Sequence, residues 1–321
     1  MMLFVLKMSL LICFNNKDPH PWSNILKERL PNVDIEIYPS VKDKLKVTFV
    51  LCWKPDKNVL EQFPNLKVIQ SVGASIDHIT SSQNLNDNFV VSRIVDHHLS
   101  EDMYEFVLAS ILSHIKDFPA YNQDKAQKIW KQKPYKTISN STIGLLGTGK
   151  IGAHVAAKLA QIGFTVKAWS RSEKNITQVS TFYGETGLTA TLQDTDILIN
   201  ILPLTEETTD ILNYQTLSQL NPNAYLINVG RGEHLVEADL IKLLDQGHLS
   251  GALLDVFRTE PLPVGHPFWA HKKIRITPHV AAITRLDSAS DLVAANYQRM
   301  MEGQDLLNLV SIEKVISTHS N

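Results

Sequence analysis

Three residues with chemically useful side chains follow three apolar runs in the second half of the chain. Arg231 follows AYLINV and lies between two glycines, Glu260 follows GALLDVF, and His279 follows IRITP. An arginine binds a carboxylate through a planar fork of donors, and a histidine transfers protons near neutral pH. A carboxylate beside that histidine fixes its tautomer and favours the imidazolium. Together the three predict a site that binds a 2-oxo acid and protonates its carbonyl oxygen during reduction.

A glycine-rich loop further upstream indicates a dinucleotide cofactor. Gly147, Gly149 and Gly152 form a G-x-G-x-x-G pattern that leads from the apolar run TIGLLG directly into a helical pattern. The first glycine permits a tight turn, the second lets the backbone approach a pyrophosphate, and the third lets helix and strand pack closely. The predicted phosphate-binding loop also contains Thr148, Lys150 and Ile151.

The acidic residue that usually holds the adenosine ribose of NAD is missing after the next apolar run. FTVKAW is followed by Ser170, Arg171 and Ser172, and Glu173 lies beyond them, where we expect it to face water. A carboxylate would repel a 2′-phosphate, whereas two hydroxyls and a guanidinium can bind one. The alternative is a solvated basic loop without a ligand. The segment therefore favours NADP(H) over NAD(H).

The elements that must position these residues alternate between short apolar runs and helical patterns, which is typical of parallel sheets covered by helices. The predicted strands of the first series are residues 10–14, 34–38, 47–53, 67–72 and 89–94. Those of the second series are residues 142–147, 164–169, 196–202, 224–229, 251–257 and 274–278.

This alternation predicts an α/β protein of two domains. Residues 106–287 are predicted to form a Rossmann-type, doubly wound parallel sheet that binds the dinucleotide. Residues 1–105 and 288–321 are predicted to form a discontinuous, flavodoxin-like substrate-binding domain, because the tail after the final helix has no place in the second sheet. A polar segment over 122–136 separates the two series. The substrate is expected where the domains meet.

Composition narrows the class of protein. The chain has 321 residues, 44% hydrophobic and 20% charged, with a net charge of -2, so neither nucleic acid nor an anionic membrane is an expected partner. The opening run has no basic residue before it and no cleavage site after it, so it predicts a buried first strand and a cytoplasmic protein. The natural start of the chain is either Met1 or Met8. Two buried, reduced thiols are expected at Cys13 and Cys52.

No metal site is expected. His97 and His98 are adjacent, so their side chains point in different directions, and no third ligand follows at metal spacing.

The motifs resemble, as a set and along nearly the whole chain, those of the D-isomer-specific 2-hydroxyacid dehydrogenases. The resemblance is greatest to the NADPH-dependent glyoxylate/hydroxypyruvate reductase branch. It is carried by GLLGTGKIG, WSRS, ILPLTEETTDIL, LINVGRGEHLVEADL, GALLDVFRTEPLP and ITPHVAAITR.

The resemblance assigns roles to further residues. The family's catalytic arginine, glutamate and histidine fall on Arg231, Glu260 and His279. Asp255 matches the residue that holds the nicotinamide carboxamide, Pro203 falls on the adenine side, and Met103 falls where the family approaches the nicotinamide.

In the first domain, SVGASIDHI matches the family's loop whose backbone N–H groups hold the substrate carboxylate, at Gly73, Ala74 and Ser75. The family usually has glycine where this chain has Ser75, whose side chain would narrow the pocket or add a donor. Trp53 resembles an aromatic residue near the substrate, and packing in the core is the alternative role for it.

The resemblance implies reduction of glyoxylate and hydroxypyruvate to glycolate and D-glycerate by a homodimer that uses NADP(H). Two alternatives remain open at this point. One is a nucleotide-sensing regulator of the corepressor kind without useful turnover. The other is another D-2-hydroxyacid dehydrogenase, such as a phosphoglycerate dehydrogenase.

Overall fold

A computed structural model describes residues 8–83 and 89–310 of the chain. These residues divide into two compact units. Unit 1 comprises the described residues up to Asp96 and those from Thr284 onward, and unit 2 comprises His97–Ile283. The domain boundaries predicted at 105/106 and 287/288 each fall within a helix, over His97–Ile115 and Leu286–Met301 respectively.

The described residues form thirteen strands. In chain order they are β1 (Ser9–Phe14), β2 (Asp34–Ile37), β3 (Val47–Trp53), β4 (Val68–Ser71), β5 (Val90–Ser92), β6 (Thr142–Leu146), β7 (Thr165–Ser170), β8 (Ser180–Tyr183), β9 (Ile197–Asn200), β10 (Ala224–Asn228), β11 (Leu249–Leu254), β12 (Ile274–Ile276) and β13 (Leu309–Val310).

Nine α-helices are found in the same residues. They are α1 (His20–Arg29), α2 (Asp77–Thr80), α3 (His97–Ile115), α4 (Phe118–Ala126), α5 (Lys150–Gln161), α6 (Gly184–Leu192), α7 (Tyr214–Leu217), α8 (Glu237–Asp245) and α9 (Leu286–Met301).

Unit 1 contains one sheet, with the strand order β13-β5-β4-β3-β1-β2 within the described residues. All neighbouring pairs are parallel except β13 and β5, which run antiparallel. The central strand β3 is buried along nearly its whole length, as expected for a parallel sheet covered on both faces. Helix α9 packs against α1, and its buried side chains, including Val293 and Tyr297, complete the apolar core.

Unit 2 contains the second sheet, with the strand order β12-β11-β10-β9-β6-β7-β8. Every neighbouring pair in it is parallel. The order reverses between β6 and β9, and in open parallel sheets a ligand binds outside the carboxyl ends at such a switch point. The predicted α/β class with two parallel-sheet domains is confirmed.

All eleven predicted strands are present, and the structure adds β8 and β13. The edge strand β8 has no buried residue, and β13 has only two residues, so neither shows an apolar run in the sequence. The polar segment 122–136 separates the two series of strands, as predicted, and it lies inside unit 2. Part of it belongs to α4, a helix without a buried residue, so its polarity reflects exposure.

The predicted buried thiols are present at neighbouring positions of β1 and β3. Cys13 and Cys52 are opposite each other in the sheet, and both are free and buried. Burial raises the pKa of the Cys13 thiol to about 12, with a further rise from Asp56. Burial likewise raises the pKa of Cys52 well above its usual value. Since the thiolate is the reactive form, these side chains act as packing groups.

None of the helices in residues 8–83 and 89–310 is both long and apolar enough to cross a membrane.

A histidine in the core of unit 2 makes stability depend on pH. His114 in α3 stacks on Tyr225 of β10, with ring centroids 3.9 Å apart. Burial, followed by the nearby charges of Arg275 and Lys136, lowers the pKa of His114 to about 4. The histidine is therefore neutral in the folded protein at neutral pH.

We expect the free energy of unfolding to fall between about pH 6.5 and pH 4 because of His114. In that window the unfolded chain takes up a proton at this residue and the folded chain does not, so acid favours unfolding. His114 in its neutral form contributes at most about 3 kcal/mol to the free energy of unfolding, and this contribution is fully retained above pH 6.5. Urea unfolding of the wild type and His114→Phe at several pH values measures it. Equal pH dependence of both proteins would exclude His114 as the source.

Candidate active site

The glycine loop lies between β6 and α5, at the carboxyl edge of the unit 2 sheet. Gly147 has a φ of +106°, which favours glycine, and its N–H donates to the Trp169 carbonyl of β7 at 2.8 Å. A Cβ on Gly152 would lie 1.8 Å from the Gly147 carbonyl oxygen, so only glycine fits there. A Cβ on Gly149 would meet nothing within 4 Å, so this face of the loop is open.

The loop has the features that a pyrophosphate requires. Helix α5 begins at Lys150 with no side-chain cap from Gly149, and the first N–H groups of a helix have no partner within the helix. The Thr148 hydroxyl is buried and has no hydrogen-bond partner among the described residues. Ile151, the next residue of the helix, packs against the core of unit 2. These groups fit a bound dinucleotide, whose phosphate oxygens would accept from them.

The segment after β7 contains an ion pair that sequence reasoning missed. Strand β7 runs one residue beyond its predicted end, and the Ser170 hydroxyl donates to the Ser172 carbonyl at 2.8 Å. The Arg171 guanidinium lies 3.0 Å from the Glu207 carboxylate, with both side chains more than half exposed. Glu173 is exposed, as predicted. An exposed pair of this kind contributes little free energy, so Arg171 can exchange its partner for a phosphate.

Arg231 lies in a loop whose close packing requires the glycines on either side of it. It follows β10, and its Nη1 donates to the Gly230 carbonyl at 2.7 Å. A Cβ on Gly232 would lie 1.9 Å from the Phe257 carbonyl carbon, so a side chain there would collide with the loop after β11. The glycines on either side of Arg231 therefore permit close backbone packing, and the loops that carry Arg231 and Glu260 are in direct contact.

Glu260 and His279 form a pair after β11 and β12. The His279 Nδ1 atom is 3.0 Å from Glu260 Oε2 and 3.2 Å from Oε1. The backbone N–H of Phe257 also donates to Oε1, at 3.1 Å. Because Nδ1 faces the carboxylate, Nε2 is the ring nitrogen that can exchange a proton with a substrate.

The backbone at His279 is strained, and Asp255 holds it. His279 has a φ of +56°, a left-handed conformation that costs a residue other than glycine free energy. Asp255 is buried, and its carboxylate accepts from the Thr277 hydroxyl at 2.6 Å and from the N–H groups of Val280 and Ala281, each at 2.9 Å. The backbone N–H of His279 donates to the Asp255 carbonyl at 2.8 Å. Asp255 thus fixes the loop that presents the histidine, a role that sequence reasoning missed.

Sheet order explains why the three predicted catalytic residues belong together. Strands β10, β11 and β12 are consecutive neighbours in the unit 2 sheet, and all run in the same direction. Their following loops therefore emerge at one edge of the sheet. Contacts of Gly232 with Phe257 and of Asp255 with His279 connect these loops in pairs.

Two further predicted cofactor residues lie elsewhere in unit 2. Pro203 is exposed after β9, and its carbonyl accepts from the Thr208 hydroxyl at 2.8 Å. Met103 in α3 is buried, 7% exposed, among apolar side chains of the core. Its contact with a cofactor stays a prediction.

In unit 1, the predicted substrate loop follows β4 and is organised by a serine. The Ser71 hydroxyl accepts from the Gly73 N–H at 3.1 Å and donates to the Ser75 carbonyl at 2.7 Å. Arg93 donates to the Ala74 carbonyl at 3.1 Å. The Ser75 hydroxyl donates to the Asp77 carboxylate at the start of α2. The side chain of Ser75 is therefore engaged within its own loop, and its effect on substrate stays a prediction.

Trp53 lies at the end of β3 beside that loop. A Cβ on Gly73 would be 3.4 Å from the Trp53 ring, and the His78 ring centroid is 4.7 Å from that of Trp53. The Lys17 ammonium lies 5.3 Å from the Trp53 ring centroid, within range of a cation–π interaction. The tryptophan also packs against the apolar core, and its place near the substrate stays a prediction. Lys17 and His78 were missed, because no motif contains them.

The first of the two adjacent histidines at the start of α3 contacts a carboxylate. His97 Nε2 is 3.6 Å from Glu101 Oε1, which also contacts His154 Nε2 at 3.0 Å. Across the part of the chain that the structure describes, no group of three or more His, Cys, Asp or Glu side chains could hold a metal ion.

Comparisons with known proteins agree with this geometry. Residues 108–281 match the family described as D-isomer specific 2-hydroxyacid dehydrogenase, NAD binding domain. Over 296 residues, the chain is 39% identical to glyoxylate/hydroxypyruvate reductase A of Yersinia enterocolitica, a match that covers 91% of this chain and 94% of that protein.

Solved structures of similar fold carry related cofactors. A D-isomer specific 2-hydroxyacid dehydrogenase from Xanthobacter autotrophicus, in complex with NADPH and MES, superimposes with a TM-score of 0.91 at 34% identity and covers 96% of this chain and 99% of its own. An NADPH-dependent glyoxylate/hydroxypyruvate reductase from Sinorhizobium meliloti, in complex with NADP and sulfate, gives a TM-score of 0.88 at 32% identity, with coverage of 95% and 98%. The chain belongs to the D-isomer specific 2-hydroxyacid dehydrogenase family.

Proposed function

We propose that this protein reduces small 2-oxo acids, glyoxylate and hydroxypyruvate first, to the 2-hydroxy acids glycolate and D-glycerate with NADPH as cofactor. The observation that carries the proposal is the pair formed by His279 Nδ1 and Glu260 Oε2 at 3.0 Å, on loops adjoining that of Arg231. Relatives named glyoxylate/hydroxypyruvate reductase support the substrate class.

The proposed roles follow from the chemistry of each side chain. Arg231 binds the carboxylate and carbonyl oxygens of the 2-oxo acid with its fork of donors. His279 donates the proton on Nε2 to the carbonyl oxygen, which avoids a free alkoxide. Glu260 accepts from Nδ1, which orients the ring and stabilises the imidazolium before the proton leaves. In unit 1, the loop of Gly73, Ala74 and Ser75 binds the carboxylate through the N–H groups of Ala74 and Ser75, because the Gly73 N–H donates to Ser71. Trp53 lies near the substrate.

NADPH, when bound, supplies the two electrons of the reduction as hydride. The residues that would hold it are shared among five segments of unit 2. They are Gly147, Thr148, Gly149, Lys150, Ile151 and Gly152 at the pyrophosphate, Ser170, Arg171 and Ser172 at the 2′-phosphate, Pro203 at the adenine, and Asp255 and Met103 at the nicotinamide.

The experiment that tests the proposal is a steady-state assay of NADPH oxidation. Purified protein is mixed with glyoxylate, hydroxypyruvate, pyruvate or phosphohydroxypyruvate, each with NADPH and with NADH. We expect the highest kcat/KM for glyoxylate or hydroxypyruvate with NADPH. Tight NADPH binding without turnover of any acid would instead identify a nucleotide sensor.

Replacing Arg171 with alanine should weaken NADPH binding by about 10- to 100-fold, because a charge-assisted hydrogen bond contributes roughly 1.5–3 kcal/mol. The KM for NADH should barely change, since NADH has no 2′-phosphate. When Ser170→Asp is combined with Arg171→Ala, the new carboxylate should accept from the ribose hydroxyls and repel the 2′-phosphate. The double variant should therefore shift its cofactor preference towards NADH. Initial rates with both cofactors measure these effects.

A matched control for Arg171→Ala is Glu207→Gln, which removes its ion-pair partner and keeps the guanidinium. This variant should bind NADPH at least as well as the wild type. Equal loss of NADPH and NADH affinity in Arg171→Ala would mean that the segment after β7 is a solvated loop that does not read the phosphate.

We also propose a cytoplasmic homodimer. Large apolar side chains around and after α4 support an association surface in unit 2, since Trp130 and Tyr135 are exposed. Analytical ultracentrifugation of the wild type and Trp130→Ser tests the assembly. A monomeric wild type at micromolar concentration would contradict it.

A further inference from the structure

A buried polar network lies beneath the loop that carries Arg231. Its members are Asn200, the last residue of β9, Asn228, the last residue of β10, and His234, in the short turn after Arg231. All three side chains have no exposed surface. Buried polar groups of this kind are costly unless they are hydrogen-bonded, so their partners are informative.

The contacts of His234 fix the tautomer of its ring. The Arg231 backbone N–H donates to Nδ1 at 3.0 Å, and the Asn200 amide nitrogen is 2.8 Å from the same atom. Two donors face Nδ1, so this nitrogen must be the acceptor, and the ring proton is on Nε2. Nε2 is 3.3 Å from the Pro203 carbonyl oxygen, which can accept it. The imidazole is thus neutral and joins Arg231 to Pro203.

The asparagines hold the imidazole and the loop in place. Asn200 donates to the Asn228 side-chain carbonyl at 2.9 Å, and Asn228 donates to the Arg231 carbonyl at 3.1 Å. The Gly230 N–H donates to the Asn228 side-chain oxygen at 3.2 Å. Both the N–H and the C=O of Arg231 are therefore bonded to buried side chains.

The glycine before Arg231 is required by this network. A Cβ on Gly230 would lie 2.8 Å from the Asn200 amide nitrogen and 2.9 Å from His234 Nδ1. Any side chain at this position would push the asparagine and the histidine away. Gly230 must therefore lack a side chain, because the imidazole of His234 occupies that space.

We propose that His234 is a positioning residue for Arg231. Its Nδ1 atom fixes the backbone from which the guanidinium extends, and its Nε2–H ties that backbone to the Pro203 segment, on which the adenine side of the cofactor site is proposed to lie. The inference rests on the function proposed above, in which Arg231 binds the 2-oxo acid. It adds a residue that touches neither substrate nor cofactor.

Two substitutions distinguish the roles of the two ring nitrogens of His234. Asparagine places its side-chain oxygen close to the position of Nδ1, so His234→Asn keeps an acceptor for the Arg231 N–H. Glutamine places its amide group near the position of Nε2, so His234→Gln keeps the contact with Pro203 and loses that acceptor. An N–H group that loses its partner in a buried setting relaxes or destabilises the loop.

We expect His234→Gln to raise the KM for glyoxylate by about 10- to 100-fold, the loss typical of an unmatched buried donor. The rise in His234→Asn should be at least several-fold smaller, and in both variants kcat should change less than KM. The assay uses the full chain with saturating NADPH. His266→Gln is the matched control, because His266, though only half-buried, likewise has both ring nitrogens engaged, by Glu237 and by the Phe268 N–H.

Equal rises in KM for His234→Asn and His234→Gln would overturn the inference, as would a KM for His234→Gln equal to that of His266→Gln. Thermal unfolding shows whether each variant is folded. If His234→Gln does not fold, His234→Asn decides, and a KM raised tenfold or more overturns the inference because the acceptor is kept. Arg231→Ala in the same assay separates the two proposals. If it leaves the KM unchanged, the proposed role of Arg231 fails, and the inference fails with it.

Discussion

Replacing His279 with alanine is expected to lower kcat for glyoxylate reduction by roughly 10²–10⁴-fold, the usual contribution of a general acid. The ring is oriented by Glu260, 3.0 Å from Nδ1, and by the Asp255 carboxylate, which holds the loop on both sides of it. With the ring removed, the carbonyl oxygen must take its proton from water. The measurement is kcat at saturating glyoxylate and NADPH.

The pH profile of the same assay distinguishes proton donation from packing. Reduction consumes the imidazolium, so kcat in this direction should fall as pH rises and the ring loses its proton. His279→Ala should abolish this fall.

His271→Ala provides the control for His279→Ala. His271 is a half-buried histidine of unit 2 that also lies beside a carboxylate, with Nε2 3.4 Å from Asp245, but it lies outside the proposed site. Its removal should leave kcat and the pH profile as in the wild type. A His279→Ala protein that reduces glyoxylate at the wild-type rate would show that the proton comes from another group.

The strands were predictable because a parallel sheet covered on both faces demands uninterrupted apolar runs. VTFVLCW becomes β3, buried along nearly its whole length, and DILINIL contains β9, which is buried throughout. The edge strand β8 has no such requirement, so STFY carries no comparable pattern. Helix α4 was not predictable for the same reason, because a helix without a buried face does not need apolar residues at helical spacing.

The chemistry of the site was predictable where a residue's type and its position after a strand are enough to indicate its role. Arg231, Glu260 and His279 are of this kind, because the carboxyl ends of neighbouring parallel strands converge without any knowledge of side-chain contacts. Partners separated along the chain were not predictable. The contact of Arg171 with Glu207 and that of Asn200 with His234 each join residues more than thirty positions apart, and the local sequence predicts neither.

Asp255 illustrates the remaining gap between family resemblance and structure. The resemblance assigns it to the nicotinamide, which stays a prediction, and the structure adds that its carboxylate accepts hydrogen bonds from Thr277, Val280 and Ala281. Those bonds hold the loop in which His279 has a left-handed backbone, and a sequence pattern does not reveal that conformation.

Replacing Arg231 with alanine is expected to lower kcat/KM for glyoxylate by roughly 10²–10⁴-fold, with a large rise in KM. Two charge-assisted hydrogen bonds of about 1.5–3 kcal/mol each account for that range. The effect on KM separates this residue from His279, because a carboxylate is held in the ground state as well as in the transition state. Initial rates over a wide range of glyoxylate concentrations at saturating NADPH provide both constants.

Arg231→Lys and Arg258→Ala complete the test. Lysine keeps the charge but not the planar fork, so it should restore only part of the lost affinity. Arg258 lies on the neighbouring loop, where it contacts Asp210 and donates from Nε to the Leu235 carbonyl at 3.0 Å, so its removal tests for general loop damage. We expect a KM close to that of the wild type in Arg258→Ala. If Arg231→Ala has the same KM as Arg258→Ala, the substrate carboxylate is bound without the guanidinium.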